Sequence, residues 1–278
     1  MFYVTLDTGV RSNVKLLTLP LMYVSSLRIY PVKSLAAHTL SEASLSVQGL
    51  AQDRLMMFVS EQGRFISQRE IPEMSLIKPI FEENIQTPFL QFPFLYLPTQ
   101  QDHWSQLETR NVEVWGRKSQ AHLIQKGMMI GQQALDLVWV GAKQAQKSFA
   151  DSEPILLLNE NSYEAFVEKA GFELDINRFR GNIFVKGANA WHEDTWKFLR
   201  IGHTDFEVIK PCSRCQLINV NQETAQINTE VLKQLAQIRL IDKKIRFGVL
   251  IKPIMRTSAS KTLKVGDSVQ VLESASLF

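Results

Sequence analysis

The sequence predicts a mainly β protein with some α content, an α+β chain whose core is barrel-like or sandwich-like. Short β-like runs recur along the chain, Gly, Pro, Asn and Asp residues separate them, and helical periodicity is scarce. Alternating βαβ units would need long crossover helices, and too few helical segments are present for that. We therefore expect strands to form the core and a few helices to pack outside it.

Eight runs are predicted as strands from their β-branched and aromatic content and from the turn residues at their ends. They are Val24–Tyr30, Leu55–Ser60, Leu90–Leu97, Val112–Trp115, Asn182–Val185, Phe206–Ile209, Gln216–Val220 and Ser268–Leu272. Helical spacing is clearest at two places, Asn161–Ala170 and Thr229–Ile238. These elements alone define the fold class and say nothing yet about function.

The length of 278 residues lies nearer two domains than one. The best candidate boundary lies between Val140 and Phe149, where a small and polar stretch follows an apolar one. Residues 1–21 scatter three charged side chains among apolar ones, so we expect an amino-terminal extension or tail and no secretory signal. Translation from Met22 and an extra edge strand are both open interpretations of that segment.

Charge and hydropathy exclude several classes of protein. With 31 Lys and Arg against 28 Asp and Glu, the net charge is +3, which disfavours a protein that coats a nucleic-acid polymer or a membrane surface. The longest apolar stretch, Phe89–Pro98, is interrupted by polar and proline residues and is too short to span a bilayer. We expect a cytoplasmic protein without a membrane span, whose thiols are reduced at rest.

The chain has two cysteines, Cys212 and Cys215, so it cannot by itself hold a disulfide framework or a four-cysteine cluster. Pro211 is expected to end the preceding strand and to leave both thiols in a bend before the next one. Lys210 and Arg214 flank the thiols, and nearby cations favour the thiolate that acts as a nucleophile or a soft-metal ligand.

Other interpretations of the cysteines stay open. A cysteine is often a small buried hydrophobe. Zinc needs about four protein ligands, and the five histidines show no ligand-like pair, which disfavours zinc. Thioredoxin-like dithiol exchange needs a strand-to-helix junction, whereas Gln216–Val220 is predicted as a strand, so dithiol exchange is a secondary alternative.

Two further segments set cationic side chains beside turn-forming residues at strand ends. One is Arg178–Ile183, and the other is Tyr30–Ser34 followed by Asp53 and Arg54. Such cations suit a phosphate or a heterocycle through charge-assisted hydrogen bonds. They make a pocket for an anionic cofactor only if the fold brings them close to the cysteines, and Arg178 is interpreted as a surface residue.

Several segments occur in a characteristic order along the chain. They are Tyr30–Ser34, Gly49–Leu50 with Asp53–Arg54, Val114–Gly116, Ser148–Asp151, Arg178–Ile183, Trp191–Trp196, Pro211–Cys215 and Val265–Asp267. In this order they resemble the MOSC family, named for the carboxy-terminal domain of molybdenum-cofactor sulfurases. The likeness is closest to the branch of the mitochondrial amidoxime-reducing component and the bacterial YcbX-type proteins.

The resemblance implies an amino-terminal MOSC-type β-barrel domain at residues 22–140 and a β-barrel MOSC domain with peripheral helices at residues 141–278. A molybdenum cofactor, molybdopterin with molybdenum, is implied between them, with Cys215 as the thiolate ligand of the metal. Cys212 receives no ligand role. The implied cofactor contacts are Lys33, Ser34, Arg54, Ser152, Arg180, Asn182, Ser213 and Arg214, and Asp151 is a further implied catalytic residue, as a proton donor.

The implied reaction is the reduction of small N-hydroxylated compounds, such as N-hydroxylated base analogues or amidoximes. The role implied for this reduction is detoxification of these compounds. Electrons are expected from a separate reductase or iron–sulfur protein, because this sequence lacks the cysteines for a cluster. Pyridoxal phosphate binding is a further association of the family. The alternative is a carrier of molybdenum cofactor, or of sulfur as a Cys215 persulfide, without reductase activity. Gly181 stands where relatives usually have proline, and we expect it to loosen that turn.

Overall fold

The computed structural model describes residues 22–141, 148–255 and 262–275. The first half holds β1 to β11, at Tyr23–Ile29, His38–Leu40, Glu42–Ser46, Gly49–Leu50, Met56–Val59, Lys78–Glu82, Phe89–Gln91, Phe94–Pro98, Thr109–Val114, Arg117–Ile130 and Gln133–Trp139. The second half holds β12 to β19, at Ile155–Asn159, Ile183–Lys186, Trp196–Ile201, Thr204–Ser213, Leu240–Ile241, Lys244–Ile254, Thr262–Lys264 and Val269–Ser274. Helices α1 and α2 span Glu160–Ala170 and Glu230–Arg239. The prediction of a mainly β fold with peripheral helices is confirmed.

The largest sheet follows the order β19-β14-β15-β17-β12-β13-β1-β2, with β16 paired to β17. Most neighbours are antiparallel, while β12 and β13 run parallel on either side of helix α1 in the chain. One face of this sheet carries a core of aliphatic side chains with two aromatic ones, Trp196 and Phe206. Strand β1 contributes Val24 and Leu27 to that core, so a strand from near the amino end completes the sheet built by the carboxy-terminal half.

Three smaller sheets complete the described fold. Strands β5-β11-β10-β9 form a four-stranded sheet, β18-β3-β4 a three-stranded one, and β6-β8-β7 another in which β6 and β8 are parallel. A second core, built on Phe58, Trp104 and Leu137, lies among the first-half strands and is separate from that of the large sheet. The predicted boundary between residues 140 and 149 includes 142–147, which lie outside the described residues, so the proposed division stays a prediction. Residues 1–21 lie outside them as well.

The two helices cover the outer face of the large sheet. Asn159 caps α1 by accepting a hydrogen bond from the Asn161 backbone N–H, and Gly171 ends the helix in a left-handed conformation with a φ of 74°. Phe166 of α1 and Val231 and Leu235 of α2 are buried in one apolar cluster, the helix-facing core. Its other large members are Phe179, Phe184 and Phe247. Neither helix has the length or apolar composition needed to cross a bilayer within the described residues.

Seven of the eight predicted strands overlap observed strands, and the exception is Gln216–Val220. Residues Gln216–Asn219 form a short 3-10 helix instead, because Ile218 and Val220 donate their backbone N–H groups to carbonyls three residues back. Burial of Ile218 in the helix-facing core favours this turn. A five-residue run with three apolar residues fits both a strand and a 3-10 turn, so the pattern alone could not separate them.

Two smaller predictions also need correction. Pro211 does not end its strand, since β15 continues to Ser213 and pairs with β17 across shifts in register on both sides of the proline. A proline is tolerated at such a bulge, where no ladder hydrogen bond needs its missing N–H. The run predicted as one strand at Leu90–Leu97 is two antiparallel strands, β7 and β8, joined by a turn at Phe92 and Pro93.

Candidate functional site

A cavity of about 330 Å³ opens where the end of β15 meets loops from the first half of the chain. All ten residues predicted for the site line it: Lys33, Ser34, Arg54, Asp151, Ser152, Arg180, Asn182, Ser213, Arg214 and Cys215. The cavity wall is strongly basic. Its cationic residues are Lys33, Arg54, Arg69, Arg180, Lys210, Arg214 and Lys244, against Asp151 and Glu153 as the acidic ones. A wall of this charge favours an anionic ligand.

Four residues of the wall have left-handed backbone conformations, with φ of 71° at Ser34, 53° at Arg54, 52° at Trp115 and 54° at Arg180. Non-glycine residues rarely adopt a positive φ, and each such residue costs on the order of 1 kcal/mol. Such strain persists only where surrounding contacts impose it, and it clusters at functional sites. Its concentration here marks the cavity as a constrained site.

The buried ring of Tyr30 contacts two guanidinium groups of the cavity wall. The Cζ atoms of Arg54 and Arg180 lie 4.7 and 4.1 Å from the centre of its ring, within the range of cation–π attraction. Its hydroxyl donates to the Gly181 carbonyl at 3.2 Å. The backbone N–H of Tyr30 donates to Asp53 at 2.8 Å, and Asp53 also pairs with Arg54. The ring therefore fixes both arginines beside the cavity.

One N–H donor group of the Arg180 guanidinium makes no hydrogen bond within the described residues. Arg180 is buried, at 8% exposure; its Nη1 donates to the Gln222 side chain at 2.9 Å, while Nη2 is buried without a hydrogen-bond partner among the described residues. Burial lowers the pKa of Arg180 to about 10, with the charge of Tyr30 acting in the opposite direction. Burying a cation that has an unpaired donor costs free energy unless a ligand accepts a hydrogen bond from that donor.

Lys33 and Asp151 form an ion pair at the edge of the site. Lys33 Nζ also donates to the Phe149 carbonyl at 2.6 Å, and Asp151 accepts a hydrogen bond from Trp115 Nε1 at 2.7 Å. Burial lowers the pKa of Lys33 to about 8, although Asp151 partly opposes this. Burial raises the pKa of Asp151, but Lys33 and Trp115 outweigh burial and bring that pKa below its ordinary value. Asp151 is therefore ionised, which is not the state of a proton donor.

The cysteines lie where β15 gives way to the 3-10 turn. Cys212 is half-buried against the helix-facing core, and Cys215 is exposed in the cavity wall. The Cys215 carbonyl accepts the backbone N–H of Ile218 at 3.3 Å, which begins the turn. Ser213 and Ser152 are both exposed on the same wall. Both thiols thus line the cavity, with Cys215 exposed and Cys212 half-buried in its wall.

Two predicted contacts use their polar groups to hold the protein together. Arg214 donates through Nε and Nη2 to the Phe247 carbonyl, at 2.9 and 2.8 Å, and through Nη1 to the Phe179 carbonyl at 2.9 Å. The Asn182 amide donates to the Arg28 carbonyl, and its oxygen accepts from Arg54 and from a backbone N–H. Both side chains line the cavity, but their described hydrogen bonds go to protein groups.

Arg178, interpreted from sequence as a surface residue, is buried. Its Nη1 donates to the carbonyls of Asn219 at 2.8 Å and Ile218 at 3.4 Å, so it ties the Arg178–Ile183 segment to the turn after the cysteines. Gly181 is not a loose point either. A Cβ atom there would lie 2.6 Å from Leu158 Cδ1, which is buried, so the position is closely packed.

Sequence reasoning missed several side chains of the wall as site residues, among them Phe65, Arg69 and Lys244. Lys33 Nζ lies 5.0 Å from the centre of the Phe65 ring, and Arg69 lies against Trp115. None of them belongs to a motif with recognisable spacing, and a lone arginine or lysine usually indicates a solvated surface. Phe65 and Arg69 reach the wall because a first-half loop folds against the end of β15, and Lys244 reaches it from the start of β17.

Comparison with known proteins identifies two domain families in the chain. The MOSC domain matches residues 144–270, and the MOSC N-terminal beta barrel domain matches residues 21–126. Similar proteins named molybdenum cofactor sulfurase occur in Danio rerio, Drosophila persimilis and Arabidopsis thaliana, at 30%, 29% and 26% identity over 88%, 88% and 90% of this chain. The chain spans about a third of the length of these relatives, at 34%, 34% and 35%.

Two solved structures show weaker likenesses. The YuaD protein from Bacillus subtilis aligns over 89% of this chain and 93% of its own, with 9% identity and a TM-score of 0.40. YiiM from Geobacillus stearothermophilus aligns over 44% of this chain and 55% of its own, with 14% identity and a TM-score of 0.32. At these TM-scores they add nothing to the assignment. The two domain matches, in this order along a chain whose motifs meet at one cavity, show that it belongs to the MOSC-domain family.

Proposed function

We propose that the protein reduces small N-hydroxylated compounds, such as N-hydroxylated base analogues or amidoximes, with a molybdenum cofactor held in the cavity. The observation that carries the proposal is one exposed thiol, Cys215, on the wall of a strongly basic cavity. The basic wall suits a phosphorylated group, and the thiol suits a soft metal. The relatives named molybdenum cofactor sulfurase support a link between this fold and that cofactor.

The residues present fit such a cofactor. The cavity volume of about 330 Å³ lies within the usual range for small-molecule sites. The buried Nη2 of Arg180 lacks a partner among the described residues, and Lys33 lines the same cavity wall. In this proposal Lys33, Ser34, Arg54 and Arg180 hold the anionic end, and Cys215 Sγ ligates the metal. Arg214 and Asn182 shape the wall through their bonds to the protein.

When bound, the cofactor supplies the two-electron chemistry that removes oxygen from the substrate. The protein binds, orients and manages protons. Asp151 keeps the Lys33 ammonium beside the cavity, and Lys33, with a pKa of about 8, is the member of the pair able to release a proton near neutral pH. In this proposal the ion pair with Lys33 keeps Asp151 ionised, so Asp151 is not the proton donor.

The proposal includes a partner and a compartment. Electrons come from a separate reductase or iron–sulfur protein, since two cysteines cannot hold a cluster and Cys215 is already assigned. The proposed substrate is a small molecule and not a nucleic-acid polymer. We place the protein in the cytoplasm, where an unpaired thiol such as Cys215 stays reduced.

A second candidate is a carrier of molybdenum cofactor, or of sulfur as a persulfide on Cys215. The exposure of this thiol favours it, because a persulfide carrier needs an accessible sulfur. The names of the relatives favour it as well. A carrier does not need to turn over an N-hydroxylated substrate.

The test compares wild type, Cys215→Ala and Cys212→Ala, each produced in a host that makes molybdenum cofactor. We expect about one molybdenum per wild-type chain, viologen-driven reduction of an N-hydroxylated purine, and at least a tenfold loss of both in Cys215→Ala. Cys212→Ala, the matched control, keeps both. Equal metal content in Cys215→Ala and wild type would contradict the ligand role, and labile sulfur on Cys215 without molybdenum would favour the carrier.

A further inference from the structure

Trp115 is an unusual residue of the cavity wall. It is 49% exposed and lines the cavity, whereas three of the other tryptophans, Trp104, Trp139 and Trp196, are buried in cores. The fourth, Trp191, packs edge-on against Phe247 and beneath Arg239. A tryptophan that keeps half of its surface open at a binding cavity gives up apolar burial that the others obtain.

The backbone at Trp115 gives no local reason for a tryptophan. Val114 and Arg117 pair at the end of the hairpin formed by β9 and β10, so Trp115 and Gly116 are the two central residues of its turn. Their φ values of 52° and 78° are those of a turn that prefers Asn followed by Gly. A bulky aromatic residue at the first position is strained there. The local sequence therefore favours asparagine, and the tryptophan needs another explanation.

Three contacts fix the indole in the wall. Its Nε1 donates to Asp151 at 2.7 Å, the Cζ atom of Arg69 lies 4.4 Å from its centre, and Phe65 meets it edge to face at 5.5 Å between ring centres. Asp151 also pairs with Lys33, which links the indole to the proposed cofactor contacts. The ring is thus held beside the ligand space while much of its surface remains uncovered.

We infer that Trp115, supported by Arg69 and Phe65, is a stacking platform that selects planar nitrogen heterocycles as substrates over small aliphatic ones. The inference rests on the proposed function and names its substrate class. A half-exposed indole in a cavity stacks on any flat π system. The surrounding cations favour neutral or anionic heterocycles and disfavour positively charged substrates.

The platform serves the substrate and not the anionic end of the cofactor, because Arg180 and Lys33, which hold that end in the proposed function, are buried and Trp115 is not. Arg180 and Lys33 are 8% and 6% exposed, against 49% for Trp115. A group held by the buried cations leaves the exposed indole to the incoming molecule. If the pterin stacked on Trp115 instead, its replacement would lower cofactor content.

Trp115→Asn is the decisive variant, because asparagine is the residue that this turn prefers and the hairpin should therefore fold at least as well. Phe92→Ala is the matched control, since Phe92 is an exposed aromatic residue in another hairpin turn that does not line the cavity. The probes are 6-N-hydroxylaminopurine as the planar substrate and acetamidoxime as the aliphatic one. Molybdenum content is measured for every variant.

For Trp115→Asn we expect unchanged molybdenum content and a KM for the purine raised about tenfold, from loss of one aromatic stack. The kcat for the purine and the KM for acetamidoxime stay within about twofold of wild type, because uniform binding alone is removed. Phe92→Ala matches wild type throughout. An unchanged KM for the purine, or a loss of molybdenum, overturns the inference.

Tryptophan fluorescence provides a readout that needs no turnover. Titration with 6-N-hydroxylaminopurine should quench the wild-type emission, and Trp115→Phe, which keeps an aromatic ring, should lose most of that quenching. If the wild type fails to reduce any N-hydroxylated substrate yet its quenching depends on Trp115, the proposed function fails while the platform stands. Equal quenching in wild type and Trp115→Phe contradicts the platform whatever the activity.

Discussion

Arg180 and Arg214 both line the cavity and were both predicted to contact the cofactor, but their guanidinium groups do different work. Arg214 makes three hydrogen bonds to two backbone carbonyls of the protein. Arg180 makes one to a side chain and leaves a buried Nη2 without a described partner. The comparison shows that the arginine next to the cysteines in sequence stabilises the wall, while the distant one has a donor left for a ligand.

Burial sharpens this contrast. Burial lowers the pKa of Arg180 to about 10, which reflects a cation that the folded protein accommodates at a cost. Arg214 instead satisfies the carbonyls of Phe247 and Phe179, two residues that are fully buried in the helix-facing core. Removing a donor from buried carbonyls is costly, whereas removing an incompletely paired buried cation is often neutral. Replacing Arg214 should therefore lower the stability of the fold, whereas replacing Arg180 should lower the affinity for an anionic ligand.

The largest expected effect is on stability, in Arg214→Met. Loss of three charge-assisted hydrogen bonds should lower the free energy of unfolding by roughly 3 kcal/mol. Thermal and urea unfolding of the protein measure it. Arg214→Lys should recover less than half of the loss, because an ammonium lacks the planar fork that reaches both carbonyls. A loss below roughly 0.5 kcal/mol in Arg214→Met would show that these bonds do not stabilise the wall.

The next effect is on anion binding, in Arg180→Met. Methionine keeps the contact with Tyr30 but removes the charge, so the free energy of unfolding should change by less than about 1 kcal/mol. Affinity for pyrophosphate, measured by calorimetry on the cofactor-free protein, should fall about tenfold. Arg214→Lys serves here as the control for the wall. Unchanged pyrophosphate affinity in a folded Arg180→Met protein would exclude Arg180 from the anion site.

The smallest effect is the pH dependence that Lys33 confers. The folded-state pKa of Lys33 is about 8, below its ordinary 10.5, so its charge is present below pH 8 and lost above it. Pyrophosphate affinity should therefore fall several-fold between about pH 7 and pH 9. Between the two pKa values the unfolded chain binds more protons, so the contribution of Lys33 to stability rises with pH there.

Comparison of wild type with Lys33→Met tests whether the pH dependence of pyrophosphate affinity comes from Lys33 or from another titrating group. The variant should bind pyrophosphate weakly and with little change between about pH 7 and pH 9. The difference in unfolding free energy between wild type and variant should shift in favour of wild type as the pH rises above about 8. An equally steep fall in affinity in both proteins would assign the titration to another group.

The fold class and eight of the nineteen strands among the described residues could be predicted, because their signals are local. Turn residues and β-branched runs located seven of eight proposed strands, and helical spacing located α1 and α2 to within a residue or two. The longest strand, β10 at Arg117–Ile130, was missed because polar residues and Gly127 interrupt its alternation and bulges shift its register. The turn at Gln216–Asn219 was mistaken for a strand because burial against α2 decides it.

The composition of the site was predictable and the use of each side chain was not. All ten residues that the family resemblance implied for the site line the cavity. The sequence motifs did not show that Asn182 and Arg214 bond to the protein, that Arg178 is buried or that Asp151 is ionised. Hydrogen-bond partners and burial come from segments far apart in the chain, and no spacing rule encodes them.

By itself, the sequence determined the fold class, the MOSC family and the presence of two thiols among cationic turns. These follow from local backbone preferences and from motifs that a linear pattern can hold. Only the tertiary structure decided which thiol is the more exposed in the cavity wall, which arginine keeps an unpaired donor among the described residues and that Trp115 lines the cavity from a turn that favours asparagine. The physical reason is that desolvation and hydrogen-bond satisfaction depend on three-dimensional neighbours, and Arg69, Trp115 and Asp151 become neighbours only when the chain folds.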